Sequence, residues 1–159
     1  MNAEVEGHGG RASPEPLDAP FFTLLTESYR RFLGDELVPA GCDLQWLYRA
    51  APFALLAHNT EADPRFVYAN TTAQRCFEYS WEEFIQLPSR LSAEPDNREQ
   101  RQRLLEIVAA QGFVTGYRGI RISKSGRRFW IEAGVVWQLT DHLGICRGQA
   151  ALFRSWHDV

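Results

Sequence analysis

A chain of 159 residues with 45% apolar side chains is long enough for one compact domain with its own core. Its formal net charge of -3 provides no basic field to draw it onto nucleic acid or an anionic membrane. Three cysteines, Cys42, Cys76 and Cys146, lie far apart and form no CxxC pair, which argues against a disulfide framework or a zinc site and fits a reducing cytoplasm.

Residues 1–19 are rich in Gly, Pro, Ala and acid and predict a disordered tail. They lack the apolar segment of a secretory signal, and no apolar run in the chain approaches the roughly 18 residues that span a bilayer. From Phe21 the pattern changes. Phe21, Leu25, Tyr29 and Phe32 recur at helical spacing, with Asp18 placed to cap the start and Gly34 to close the end. Val38-Pro39-Ala40-Gly41 breaks the chain, and a shorter helix follows over residues 43–49. Residues 20–50 thus read as a helical extension, and residues 51–157 as the domain proper.

Within that domain, FALLAHN and RFVYAN read as paired strands around a DPR turn, with Phe66 and Tyr68 expected on one face and Val67 on the other. Asn70 caps the short helices that follow. Ser80 with Glu83 has capping-box spacing, and Asp96 with Glu99 repeats it at the start of the longest helix, about 97–110. Arg98, Arg101 and Arg103 alternate there with acids and predict a solvated face. Gly112 ends that helix. Three strands follow, roughly 114–123, 127–139 and 144–156. The order is that of an α+β domain with helices on a face of one antiparallel sheet.

The hairpin GYRGIRISKSGRRFWIEAGVVWQL carries the most information. A three-residue loop, Lys124-Ser125-Gly126, pairs Arg118 with Glu132, Ile120 with Trp130 and Arg121 with Phe129. Strict alternation then places Tyr117, Arg121, Phe129, Ile131, Ala133, Val135 and Trp137 on one face. The other face carries Ile120, Ile122, Trp130 and Val136. On the last strand Arg147, Gln149, Ala151 and Phe153 share the first face. Both faces are too apolar to meet water. The short helices are expected over the first; the Phe21–Leu33 helix or a second copy of the chain is expected over the other. Arg121 therefore points to the covered side, where an unpartnered guanidinium is costly. Two readings follow: it pairs with Glu94 or Asp96 or reaches water, or, with Tyr117 and Gln149, it receives a small anionic or carbonyl-bearing ligand.

PFALLAHNTEADPRFVYAN, FEYSWEEFIQLPSRLSAEPDNREQR, the hairpin and GQAALF together resemble the MEKHLA domain, a PAS-like fold. In plants that domain ends the class III homeodomain–leucine zipper factors, and in bacteria it occurs as a short stand-alone protein, which this chain resembles. The resemblance implies a five-stranded antiparallel sheet cupping a small cavity, with Tyr117, Arg121, Gln149, Ile131 and Phe153 as its candidate lining. It implies a non-catalytic sensor or signalling module; a ligand-free dimerisation scaffold and a small enzyme are the alternatives. A homodimer through the N-terminal helix or the outer sheet face is expected. No homeodomain or leucine heptad is present, so nucleic-acid binding does not carry over. The hairpin also resembles that of flavin-binding light-sensing PAS domains, whose reactive cysteine lies in an N-C-R-F motif. Here LPSRLSAEP stands in its place without cysteine, and Arg121, Ile131 and Phe153 occupy the flavin-reading positions. Haem-binding PAS domains use a histidine on the long helix, and NREQRQRLLEIVAA has none. Both departures argue against those cofactors and leave any cofactor's identity open. His58, His142 and His157 read as surface or capping histidines.

Overall fold

The computed structural model describes residues 14–159, so most of the expected tail, residues 1–13, lies outside the described residues. Helix α1, Ala19–Leu33, starts where Asp18 accepts a hydrogen bond from the Phe21 amide at 2.9 Å, and it ends at Gly34 in the left-handed conformation. Helix α2 is Leu44–Arg49, capped by Asp43. Strands β1, Ala54–His58, and β2, Phe66–Ala69, follow. Next come α3, Thr71–Phe77, and α4, Trp81–Phe84, which starts with the complete Ser80–Glu83 capping box. A 3-10 turn over Ser89–Ser92 leads to the long helix α5, Pro95–Gln111. Its first turn differs from expectation. Pro95 has its φ already set for a first helical position, so the helix begins there with Glu94 at the cap, and Asp96 makes no capping bond.

Strands β3, Phe113–Ile122, β4, Arg128–Thr140, and β5, Cys146–Phe153, complete an antiparallel sheet in the order β2-β1-β5-β4-β3. A sixth short strand, β6, Ser155–Asp158, pairs with Phe129–Glu132 of β4. The single last strand expected over 144–156 is thus divided at Arg154. The hairpin turn is the expected one: Ile122 pairs with Arg128 and the Ser123 amide donates to the Arg127 carbonyl, leaving three residues between. Glu78 braces the turn by accepting from Ser123 Oγ and the Ser125 amide, both at 3.0 Å. The Ser125 side chain and amide, with smaller pulls from Ser123 and Arg127, hold its carboxyl down at about 2.

Each face of the sheet carries a buried cluster. Helix α1 lies on the outer face, where Leu25 is fully buried and Tyr29 meets Trp137 edge-on at 4.9 Å. Ser28 Oγ accepts from the Thr140 amide at 3.0 Å and donates to the Thr140 carbonyl at 3.1 Å. The chain's own helix covers the end of this face that carries Val135, Trp137 and Leu139, while Ile120, Ile122 and Trp130 stay half-exposed outside the buried clusters. On the inner face α3, α4 and α5 enclose Leu56, Phe66, Phe77, Phe84, Phe129, Ile131 and Phe153, with Leu104, Val108 and Val136 beside them. Asn70 joins three of the surrounding elements. Its Oδ1 accepts from the Leu55 and Ala73 amides, and its Nδ2 donates to the Leu47 and Phe53 carbonyls.

Strict alternation fails at four bulges. In β2, Ala57 faces Tyr68 but His58 faces Phe66, so Val67 is the extra residue. Phe66 therefore points inward and Tyr68 outward, into the cluster with Tyr48 and Trp81. In β3, Val114 pairs with Val136 and Tyr117 with Gly134, which leaves Thr115-Gly116 as a bulge. In β4 the extra residue is Ala133, with φ 51. Through Ile131 the expected faces hold. Beyond Ala133 parity reverses: Val136 turns inward, while Val135 and Trp137 turn outward toward α1. In β5, Leu139 pairs with Gly148 but Thr140 with Cys146, so Arg147 is the extra residue; expected on the inner face, it is exposed and pairs with Asp141 at 2.9 Å.

Ala133 is exposed and left-handed, a conformation in which a Cβ is strained. Ala133→Gly should therefore stabilise the domain by about 0.5–1 kcal/mol, read as a higher urea midpoint at unchanged slope. Ala133→Val should lower the midpoint. A valine variant as stable as wild type would mean that the bulge is not held at this residue.

Candidate ligand-binding cavity

A cavity of about 60 Å³ lies between the inner face of the sheet and helix α5. All five residues singled out in the sequence, Tyr117, Arg121, Ile131, Gln149 and Phe153, line it. Phe153 and Ile131, with Leu56 and Phe66, form its apolar wall. Arg121 is only 8% exposed. One of its nitrogens donates to the Ile120 carbonyl at 2.9 Å, and the group stands 5.4 Å from the Tyr117 ring centroid. It makes no ion pair among the described residues. Glu94, one expected partner, reaches Arg128 at 3.7 Å, and Asp96, the other, is exposed.

The cavity also holds residues that the sequence reading placed elsewhere. Arg101, assigned to a solvated helix face, is 7% exposed and lines the cavity. Its guanidinium donates to Ser89 Oγ and has no carboxylate partner among the described residues. Burial pushes it down to about 10, and the neighbouring charge of Arg121 acts in the same direction. The signal was the stripe Arg101, Leu104, Val108: the three buried residues of α5 fall at helical spacing on one side. His58, read as a surface or capping residue, lines the cavity beside them. Alternation along β1 could have shown this, because Ala54 and Leu56 point inward and His58 is next in that series.

The polar atoms of the cavity divide into donors and acceptors. His58 Nδ1 lies 2.9 Å from the Asn59 carbonyl. A carbonyl can only accept, so Nδ1 carries the hydrogen, and Nε2 of the neutral ring is left as an acceptor. That Nε2 is buried and has no partner. Burial, with the charge of Arg101 adding to it, lowers the ring's proton affinity, against a smaller opposite pull from the Asn59 carbonyl. Gln149, the direct cross-strand partner of His58, gives its amide N–H to the Leu105 carbonyl at 3.1 Å. Its Oε1 is buried and unpartnered. The Tyr117 hydroxyl is buried and unpartnered too. Of four such side-chain atoms among the described residues, three line this one cavity; the fourth, Trp137 Nε1, belongs to the outer core.

Two glycines permit this arrangement. The Tyr117 ring lies across Gly119, where any Cβ would collide with the phenol oxygen. At Gly148, with φ 149, a Cβ would strike the His58 carbonyl, so only glycine lets β5 close against the end of β1. None of the three cysteines lines the cavity. Cys76 is buried between α3 and the Arg127 side chain, and burial lifts its thiol to about 12. Among the described residues no group of three His, Cys, Asp or Glu could hold a metal ion.

A five-strand sheet in the order β2-β1-β5-β4-β3, with helices over one face and a cavity between, is the architecture of a PAS domain. Solved structures agree. The chain is similar to the PAS domain of a protein from Colwellia psychrerythraea, at TM-score 0.60 and 18% identity, over 72% of this chain and 92% of that one. It is similar to a PAS domain from a two-component sensor histidine kinase, at TM-score 0.55 and 20% identity, over 72% and 91%. The dark structure of the blue-light photoreceptor Aureochrome1 LOV follows at TM-score 0.51 and 14% identity, over 67% and 75%. Within this fold the chain belongs to the MEKHLA domain family, which matches residues 19–158 and so includes α1. No curated protein matches the chain.

A histidine held neutral by burial carries a pH signature. The folded ring binds a proton less readily than the unfolded one, whose ordinary value is 6.5. The unfolded state therefore takes up more protons as pH falls through that value, and stability drops. Urea denaturation at pH 7.5 and 5.5 should show a larger loss for wild type than for His58→Gln. Equal losses in the two proteins would show that the His58 ring is free to protonate in the fold.

Proposed function

We propose that this domain is a non-catalytic receptor that senses a small anionic molecule in its internal cavity. The observation that carries the reading is the pair Arg101 and Arg121: two guanidiniums, each more than nine-tenths buried, share one cavity without a carboxylate. Each buried charge costs several kcal/mol when unpaired. A carboxylate or similar anion between them would offset part of that cost and would supply acceptors to both forks. The Tyr117 hydroxyl provides a further donor at the same end, and the apolar wall suits the rest of a small organic acid.

The hydroxyls in the wall favour binding over chemistry. Ser92 Oγ donates to the Ser89 carbonyl at 2.8 Å, and Ser89 Oγ is held by Arg101, so neither is set against a base. The free thiols of Cys42, Cys76 and Cys146 suit a reducing compartment such as the cytoplasm. No helix among the described residues is long and apolar enough to cross a membrane.

Thermal shift and calorimetry with acetate, butyrate, benzoate and inorganic phosphate test the reading on wild type, Arg101→Met and Arg121→Met. The expected result is that at least one anion stabilises wild type. Both variants should fold at equal or higher unliganded stability and bind that anion about tenfold or more weakly, the scale of a hydrogen bond to a charged group. No response from wild type, with both variants less stable, would make the arginines structural and leave a ligand-free scaffold.

A further inference from the structure

The guanidinium pair accounts for one end of the cavity. His58 Nε2 and Gln149 Oε1 remain, and both can only accept a hydrogen bond once their other atoms are engaged. They stand side by side, because His58 and Gln149 are direct partners on adjacent antiparallel strands. Both atoms are buried without a partner, and Gln149 as a whole is 9% exposed. A fold that leaves two neighbouring buried acceptors unsatisfied in a largely apolar space loses the desolvation free energy of both. A ligand group with an O–H or N–H recovers it.

The charge of that group is also constrained. Among the described residues no Asp or Glu lines the cavity, and two arginines do. An ammonium placed there would be repelled by Arg101 and balanced by no carboxylate. A second anionic group would present only lone pairs to two acceptors. A neutral donor is the group that suits both conditions, and a hydroxyl is the smallest.

We infer that the molecule recognised is a small hydroxycarboxylate, its carboxylate at Arg101 and Arg121 and its hydroxyl donating to the His58–Gln149 pair. This rests on the anion-receptor reading above and adds the chemistry of the second end. The hydroxyl gives its hydrogen to one of the two acceptors and lies within reach of the other. The neutral tautomer of His58, set by the Asn59 carbonyl, is a condition of this recognition, because a protonated ring would offer a second donor where an acceptor is required.

Matched acids test it: 3-hydroxybutyrate against butyrate and 4-aminobutyrate, and 4-hydroxybenzoate against benzoate, by calorimetry at pH 7.5. In at least one pair the hydroxylated acid should bind wild type about threefold to tenfold tighter than its parent, the scale of a neutral hydrogen bond. His58→Phe and Gln149→Leu should reduce that ratio toward one. His58→Gln, which restores an acceptor, should recover part of it. In wild type, the ¹⁵N signal of His58 Nε2 should be that of an unprotonated nitrogen and should move when the hydroxylated acid is added. This measurement stands even if a variant fails to fold. Parent acids that bind as tightly as hydroxylated ones would overturn the inference and leave the anion receptor standing. Tightest binding by 4-aminobutyrate would overturn the neutral-donor assignment. Failure of every acid to bind wild type would remove the anion reading and this inference together.

Discussion

One extra residue in β4 decides what the inside of this domain contains. Without the bulge at Ala133, alternation would carry Trp137 to the inner face, where its indole would occupy the space between the sheet and α5. With the bulge, Val136 takes that place and Trp137 goes to the outer face, where it becomes the largest fully buried side chain against α1. The matching bulge at Thr115-Gly116 restores the pairing of β3 with β4 beyond it. The outer core and the inner cavity therefore depend on the same local irregularity. Bulges of this kind re-aim side chains at the cost of a few ladder bonds.

The treatment of buried polar groups differs sharply between the scaffold and the cavity. Asn70 is completely buried, and both of its side-chain polar atoms are used twice, each bond joining a different backbone position. Glu78, after α3, collects the hairpin turn in the same way. The fold is capable of satisfying its polar atoms. Around the cavity it leaves His58 Nε2, Tyr117 Oη and Gln149 Oε1 unpartnered and buries two guanidiniums beside them. These groups weaken the empty fold, and they converge on one space.

Much of the fold could be read from the residues. Asp18 and Gly34 bound α1, Ser80 with Glu83 starts α4, and the opposite charges of Arg118 and Glu132, 3.0 Å apart in the structure, fixed the hairpin register. What alternation could not reveal was its own interruption. A bulge residue such as Ala133, Val67 or Arg147 carries no signal of the bulge in its side chain, so the faces of β2, of the second half of β4 and of Arg147 in β5 were misassigned. The cavity was half visible. Arg121, Tyr117, Ile131, Gln149 and Phe153 all reach it from strands whose inward faces were correctly chosen. Arg101 was hidden because arginines among acids on a helix read as solvated, and the Leu104–Val108 stripe was not extended one turn back. His58 was hidden because a histidine at a strand end has a common, uninformative explanation.

The family match takes in α1 along with the sheet, and the geometry makes the two hard to separate. Along β5, Gln149, Ala151 and Phe153 face the cavity, while Ala150 and Leu152 face the cluster that seats Leu25. The partition between the two is a single backbone, and adjacent residues on it are about 3.8 Å apart. Such a partition cannot swell on one side without pressing on the other, because close-packed side chains transmit displacement instead of absorbing it. Helix α1 thus rests on the far side of a single-backbone partition from the cavity.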